Sequence, residues 1–485
     1  GSFPCAMASN ISTELRAKQP DPGQASGSCQ ERANMPLGAG FRTSPEGFVS
    51  MISIEKVVVL GANGTMGAGS GEVFAAGGCD VVFLARTVEK AHEGLVTAQN
   101  MAKSVRIADR ISLGTYDQDL EEAVSKADLI FEALAEDMEL KKSFFAKVDK
   151  YRRPESVVAT VSSGLSIAEM ALGRSDSFRR NFLGIHLFNP PSVIVGTEVI
   201  PHKETDPQLV RDIVELLESR FGRVAIVAAD KPAFAGNRVG FKVLNEVAAL
   251  AEEHGVAFMD YLIGPYTGRA MAPLATIDLV GWDVHKAIVD NVYAHTSDEA
   301  HESFKLPGYM EDLIEHGHLG NKTPQYGGFY RRVKEGGQTI QLVLDPKTGA
   351  YKDIRDDGVR KLPFVEAVRE LHRVGRYREA MRQFVAATGP EADLARRVVF
   401  GYVSYALNRV GEGEVVREVR DMDRIMGFGF NWAPPSVLVD LIGLEETIRQ
   451  LERYKLPVPK VLRDARPGQR LFREPNVNIG RFFAA

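Results

Sequence analysis

Two stretches of this chain carry residue types that can do chemistry together. In the first, His186 opens the segment His186-Leu187-Phe188-Asn189-Pro190-Pro191, and Glu198 follows twelve positions after the histidine. A carboxylate on one imidazole nitrogen fixes the tautomer and supports the imidazolium formed when the other nitrogen takes a proton. Oxidation of an alcohol needs such an acceptor as hydride leaves carbon. The competing reading is a core histidine with a chance surface glutamate. In the second stretch, well upstream, Gly61-Ala62-Asn63-Gly64-Thr65-Met66-Gly67 forms a glycine-rich turn suited to a dinucleotide. Together the two stretches suggest hydride transfer from an alcohol carbon.

Each stretch needs elements to hold it. Lys56-Val57-Val58-Val59-Leu60 reads as a strand buried on both faces of a parallel sheet. A small-residue helix is expected through Ala76, then Gly77-Gly78, then a second strand, Asp80-Val81-Val82-Phe83-Leu84. The glycines thus sit between strand and helix, where glycine allows close approach of backbone N–H groups to pyrophosphate and the helix N-terminus favours an anion. The spacing G-x-x-G-x-x-G is one residue longer than the usual fingerprint, so a tight loop without ligand is the alternative. Where an acid normally meets the ribose hydroxyls, the chain has Ala85, followed by Arg86 and Thr87. Arg86 suits a 2′-phosphate, which favours NADP; stacking on adenine or plain exposure are the other readings.

Further strands are expected over 127–133, 157–161 and 182–186, with a helix over 136–150. Ser162-Ser163-Gly164 closes the second of these strands at the edge where ligands of open α/β sheets gather. Ser163 therefore points toward the site, with a helix N-cap as its other role. Asn189-Pro190-Pro191-Ser192 can neither continue a strand nor start a helix. The chain is expected extended again over 193–200, folding Glu198 back beside His186.

The 485 residues, 44% apolar and 25% charged, describe a globular chain of about three domains. A formal charge of -5 gives no support to nucleic-acid binding as the main role. Cys5, Cys29 and Cys79 fit neither a metal site nor a disulfide framework, so a reducing, cytoplasmic compartment is expected. No apolar run is long enough to span a membrane. Residues 1–50 are rich in Gly, Ser, Pro, Ala and Gln and are expected to form a flexible tail, with Gly1-Ser2 as a cloning remnant. A targeting peptide is the rival reading; Glu14, Asp21, Glu31 and Glu46 count against a mitochondrial one.

After Asp230 the character changes to helical. Val239, Val243, Val247 and Leu250 recur at helical spacing over 237–255. Leu244-Asn245 is echoed by Leu407-Asn408, and Asp278-Leu279-Val280-Gly281 by Asp440-Leu441-Ile442-Gly443, at separations of 163 and 162 residues. A duplicated helical unit follows. The second copy is expected to cover the first as a built-in partner, giving a monomer or weak dimer. Between the copies, residues 338–354 suggest a β-hairpin around Asp345-Pro346-Lys347-Thr348-Gly349. The nearby Arg331-Arg332 and Lys334 are either a solvated loop or a contact for phosphates.

Over most of residues 55–480 the chain resembles the L-3-hydroxyacyl-CoA dehydrogenase family. The carrying segments are the glycine turn, Glu136 with Lys141, Ser162-Ser163-Gly164-Leu165-Ser166-Ile167, the histidine segment, Asp230-Lys231-Pro232-Ala233-Phe234-Ala235-Gly236-Asn237-Arg238, and Leu319-Gly320-Asn321-Lys322-Thr323. The resemblance implies an α/β Rossmann-type dinucleotide-binding domain followed by two related all-α domains. The expected limits are 51–230, 231–335, a hairpin insertion at 336–360, and 361–485. It implies His186 as base, Glu198 as its partner, and Ser163 and Asn237 as contacts of the substrate's 3-oxygen and thioester region. To the cofactor set expected from the residues themselves, Gly61, Asn63, Gly64, Thr65, Met66, Gly67 and Arg86, the resemblance adds Glu136 and Lys141 near the nicotinamide ribose. NAD is the family's usual cofactor and an acyl-CoA its substrate; a separate hydratase or thiolase is the implied partner, since no hydratase half is expected before the dinucleotide domain. The family usually has Asn-Thr-Ser where this chain has Val161-Ser162-Ser163, which puts the asparagine's role in doubt. A free hydroxy acid or sugar acid as substrate, and a non-catalytic dinucleotide- or CoA-binding protein, are the alternatives.

Overall fold

The structure, a computed structural model, describes residues 52–483. The tail expected over residues 1–50 lies outside the described residues. Short apolar runs form the first layer. They are β1 (Lys56–Leu60), β2 (Asp80–Ala85), β3 (Ile111–Thr115), β4 (Leu129–Glu132), β5 (Val157–Thr160), β6 (Phe182–Leu187), β7 (Gly196–Pro201) and β8 (Val224–Val227). They build one sheet in the order β3-β2-β1-β4-β5-β6-β7-β8. Strands β1 to β6 are parallel, β7 runs antiparallel to β6, and β8 is parallel to β7. Parallel neighbours need crossovers, supplied by α1 (Thr65–Ala76), α2 (Val88–Ala102), α3 (Tyr116–Lys126), α4 (Met138–Tyr151), α5 (Ile167–Ala171), α6 (Asp176–Arg180) and α7 (Pro207–Ser219). Side chains alternate along each strand. Val57 and Val59 join Phe74 of α1 and Leu209 of α7 in one core, while Val58 and Leu60 face Leu120 of α3 and Phe145 of α4. The strand order reverses at β1, whose neighbours are β2 and β4. The crevice at the carboxyl ends of β1 and β4 is therefore the natural ligand seat.

The helical half follows as α8 (Gly236–His254), α9 (Val256–Leu262), α10 (Pro273–Val280), α11 (Trp282–His295) and α12 (Gly308–Glu315). Then comes a three-stranded antiparallel sheet of β9 (Tyr330–Glu335), β10 (Gln338–Leu344) and β11 (Tyr351–Asp353). The sheet thus begins at Tyr330, ahead of the expected 336, and Arg331, Arg332 and Lys334 lie on a strand, not a loop. The remaining helices are α13 (Pro363–Arg373), α14 (Tyr377–Ala386), α15 (Pro390–Asn408), α16 (Val419–Phe428), α17 (Pro435–Ile442), α18 (Leu444–Arg453) and α19 (Lys460–Arg463).

Two devices occur once in each helical stretch. Asp260 accepts the Leu274 and Ala275 N–H groups at the start of α10, and Asp423 accepts the Ser436 N–H at the start of α17. Asp278 accepts the N–H groups of Phe329 and Tyr330, and Asp440 those of Leu471 and Phe472. Each carboxylate closes backbone donors that would otherwise be unpaired in the interior. Gly281 and Gly443 break the chain at matching dihedrals, φ 101° and 106°. One continuous apolar core joins α8, α15 and the β6 side of the sheet. Among the described residues, no helix is long and apolar enough to cross a membrane.

Candidate active site

The glycine turn sits at the end of β1. Gly61 has φ 84°, and a Cβ there would stand 2.3 Å from the Ala133 carbonyl oxygen at the end of β4. A Cβ on Gly67 would stand 2.3 Å from the Gly61 oxygen, so this glycine lets the helix pack on its own strand. Gly64 differs: its nearest neighbour is the Gly61 oxygen at 3.5 Å, and it is exposed together with Asn63 and Thr65. Two glycines thus serve the protein's own packing, while the third leaves open backbone. Helix α1 has no side-chain cap and no acid in its first turn. Its leading N–H groups remain available to an anion. The Gly61 N–H is taken by the Tyr116 hydroxyl at 2.8 Å, and burial pushes that hydroxyl up to about 12. Beyond β2, Ala85 is buried, Thr87 caps α2 through the Lys90 N–H, and Arg86 is exposed with no hydrogen bond or ion pair among the described residues.

The neighbouring ends of β4 and β5 are tied together by carboxylates. Glu132 closes β4 and is fully buried; it accepts from Lys141 Nζ at 2.7 and 3.0 Å, from the Leu134 N–H at 2.6 Å and from Thr160 Oγ1 at 2.5 Å. The Lys141 ammonium also lies 3.5 Å from Glu136. Lys141 has no exposed surface and holds Glu132 and Glu136 from behind. Glu136, 43% exposed, accepts from Ser162 Oγ at 2.5 Å and from the Ser163 N–H at 3.0 Å. This fixes the loop after β5. Ser163 caps no helix: Ser166 caps α5, and Asp230 takes the N–H groups of Ile167 and Ala168.

Antiparallel pairing of β6 with β7 sets His186 directly opposite Glu198. The turn between them contains a cis Asn189-Pro190 bond, and Pro191 touches α1 where Gly69 leaves room. Glu198 is fully buried; its Oε1 accepts the N–H groups of Ala235 and Gly236 at 2.9 Å each, and its Oε2 lies 2.6 Å from His186 Nδ1. An ionised carboxylate only accepts, so Nδ1 carries the proton and Nε2 presents its lone pair. Ser163 Oγ lies 3.2 Å from that Nε2. Asn237 Nδ2, in the first turn of α8, reaches the Ser163 carbonyl at 3.4 Å. The imidazole is 3% exposed, with the Phe188 ring edge-on at 4.8 Å and Phe234 at 5.7 Å.

His186, Glu198, Ser163, Asn237, Glu136 and Lys141 therefore form one hydrogen-bonded network, while Arg86 and the open glycine backbone lie at the ends of β2 and β1. Sequence reasoning missed Glu132, Tyr116, Asp230 and Asn291, whose Nδ2 holds the Gly164 carbonyl at 3.0 Å. A glutamate ending the apolar run Leu129-Ile130-Phe131 was a readable signal for Glu132. No group of three or more metal-ligating side chains occurs among the described residues.

Residues 56–231 match the description "3-hydroxyacyl-CoA dehydrogenase, NAD binding domain", and residues 234–332 match its C-terminal domain. A probable 3-hydroxyacyl-CoA dehydrogenase of Bacillus subtilis is 32% identical over 84% of this chain and 53% of its own length. The chain thus spans about half of that relative. Another, from Deinococcus radiodurans, is 31% identical over 59% of this chain and 84% of its own length. The crystal structure of 3-hydroxybutyryl-CoA dehydrogenase from Escherichia coli K12 shares the fold, with a TM-score of 0.60 and 22% identity over 85% of this chain and 98% of that one. With a relative matched at this identity over most of its length, and both family regions in sequence, the chain belongs to the 3-hydroxyacyl-CoA dehydrogenase family.

Proposed function

We propose that this chain oxidises an (S)-3-hydroxyacyl-CoA to the 3-oxoacyl-CoA with NAD, the dehydrogenase step of fatty-acid β-oxidation. The observation that carries the reading is the hydrogen-bond set of Glu198. Two backbone N–H groups and the imidazole Nδ1 engage both oxygens of that carboxylate, leaving His186 Nε2 as a base beside Ser163. Nε2 takes the proton of the substrate's 3-hydroxyl. Ser163 Oγ holds the same oxygen, and Glu198 supports the imidazolium. Asn237 orients the thioester side. In the reverse direction the imidazolium returns the proton. The residues fit a dinucleotide: α1 starts uncapped, and Gly64, Asn63 and Thr65 expose backbone there. NAD, when bound, supplies the hydride acceptor. Gly61, Met66 and Gly67 shape that seat, and Glu136 stands beside the nicotinamide end, held by Lys141. Arg86 makes NADP the second candidate.

The companion expectations are proposals too: cytoplasmic location, a separate hydratase or thiolase acting before and after, and a monomer or weak dimer, which sedimentation velocity tests. The deciding assay measures turnover of (S)-3-hydroxyacyl-CoAs of several lengths and of free (S)-3-hydroxybutyrate, each with NAD and NADP. Turnover of thioesters is expected. Turnover of the free acid alone would move the reading to a hydroxy-acid dehydrogenase, and cofactor binding without turnover would make the chain a binding protein.

A further inference from the structure

The loop after α16 reaches the back of the candidate base. It runs Phe428-Gly429-Phe430-Asn431-Trp432, with Asn431 at φ 53°. Gly196, which opens β7, would place a Cβ 2.5 Å from the Gly429 nitrogen and 2.6 Å from the Phe428 carbonyl carbon, so the loop and the strand that carries Glu198 touch backbone to backbone. Two aromatic rings fill the space beside this contact. Phe188 meets Phe430 edge-to-face at 5.8 Å, and Phe430 meets Phe241 at 6.3 Å and Trp432 at 5.2 Å. Three glycines make the room. A Cβ on Gly240 would stand 2.2 Å from the Phe430 ring; one on Gly236 or Gly429 would stand 2.8 or 3.0 Å from the Phe188 ring.

We infer that Phe430 is a positioning residue for His186, pressing Phe188 against the imidazole and so setting the plane in which Nε2 faces the substrate. The inference rests on the dehydrogenase reading. Its physical reason is that two hydrogen bonds in the plane of a ring, Nδ1 to Glu198 and Nε2 to Ser163, do not set the tilt of that plane. Held at both nitrogens, the imidazole can still rock about the line that joins these two contacts. The Phe188 ring, in an edge-to-face contact at 4.8 Å, and the tilted Phe234 ring at 5.7 Å stop that motion. Phe188 in turn is backed by Phe430, delivered by the second helical stretch. Hydrogen bonds and ring contacts to the His186 imidazole come from Glu198 on β7, Ser163 in the loop after β5, Phe188 in the turn after β6 and Phe234 ahead of α8.

The test uses the full chain with Phe430→Ala, Phe430→Leu and Phe430→Tyr. Misplacing a reacting group by about an ångström costs on the order of a hundredfold in rate. We expect Phe430→Ala to lower kcat about tenfold or more while both KM values stay within about threefold. The kinetic isotope effect with substrate deuterated at C3 should rise as chemistry becomes limiting. Phe430→Tyr should recover most of kcat, and Phe430→Leu, which keeps bulk without the edge, should fall between; if the alanine variant does not fold, the leucine variant decides. An unchanged kcat and isotope effect in folded variants would overturn the inference. So would a change of acyl-length preference at constant kcat, which would make the ring a wall of the acyl site. Histidine-labelled protein gives a readout without substrate. The His186 ring signal, assigned by its loss in His186→Gln, should move in Phe430→Leu; an unmoved signal refutes the positioning role. A moved signal in a protein that turns over no hydroxyacyl-CoA would sink the dehydrogenase reading and leave the positioning role standing.

Discussion

Glu198→Gln changes one atom of a buried carboxylate and forces a choice of tautomer. The native Oε1 accepts two backbone N–H groups and Oε2 accepts the Nδ1 proton of His186. An amide cannot serve both. If its oxygen faces Ala235 and Gly236, its NH2 faces Nδ1, and the imidazole must move its proton to Nε2, the atom that has to act as base. If the amide flips, two pairs of donors oppose each other, at about 1–3 kcal/mol for each group left unpaired. The first arrangement is the cheaper and the less active. Loss of the correct tautomer in a carboxylate-held histidine lowers kcat about 10⁴-fold, or about 5 kcal/mol at roughly 1.4 kcal/mol per decade. The assay follows reduced cofactor with an (S)-3-hydroxyacyl-CoA at saturating NAD, with NADH binding measured separately by fluorescence quenching. We expect kcat to fall by three to four decades (about 4–5 kcal/mol) with cofactor binding retained. A folded variant that keeps kcat within about tenfold of the parent would refute the tautomer argument.

Three further outcomes follow from the geometry. Lys141→Met strips a fully buried carboxylate, Glu132, of its cation and should cost about 3–5 kcal/mol in chemical denaturation; a loss under about 1 kcal/mol would show that the pair is not held as described. Ala85→Asp places an acid at the end of β2 and should raise the kcat/KM ratio of NAD over NADP; an unchanged ratio would remove Ala85 and Arg86 from cofactor choice. Burial pushes Asp423 up to about 8, far above an unfolded carboxyl near about 4. Its protonated form therefore stabilises the fold fully below pH about 4, and that contribution is lost as pH rises through about 8. Asp423→Asn, which mimics the protonated acid beside Ser436, should melt higher than the parent at pH 8 and close to it at pH 5; equal destabilisation at both would contradict the assignment.

Much of the site was legible because parallel strands announce themselves as short apolar runs ending in turn residues. Lys56–Leu60 before the glycines and Phe182–Leu187 before the prolines are of this kind. The facing of His186 and Glu198 was legible in outline, since a proline turn between two extended stretches brings them level. The strand itself is shorter than the expected extended stretch, starting at Gly196 after a turn through Ser192 and Val193. Burial was less legible. Lys141 sits on an exposed-looking helical pattern, and only its partner, a glutamate inside an apolar strand, marks it as interior. The capping serine was misplaced among neighbours: Ser166 with Glu169 three residues on is the better cap signature. Charged strand β9 read as loop because Arg332, Lys334 and Glu335 point outward. Contacts such as Phe188 with Phe430 join residues distant along the chain and leave no local pattern.

The crossover from sheet to helices has a mechanical consequence. At Ala229 the main chain donates its N–H to the Val415 carbonyl at 2.9 Å, and Lys231 donates to the Gly413 carbonyl. The stretch that joins the sheet to the helices is thus strapped by a distant part of the same polypeptide. A change of backbone angles at that junction has to break these two hydrogen bonds or carry residues 413–415 along with it, so the junction is stiffened from outside its own local sequence.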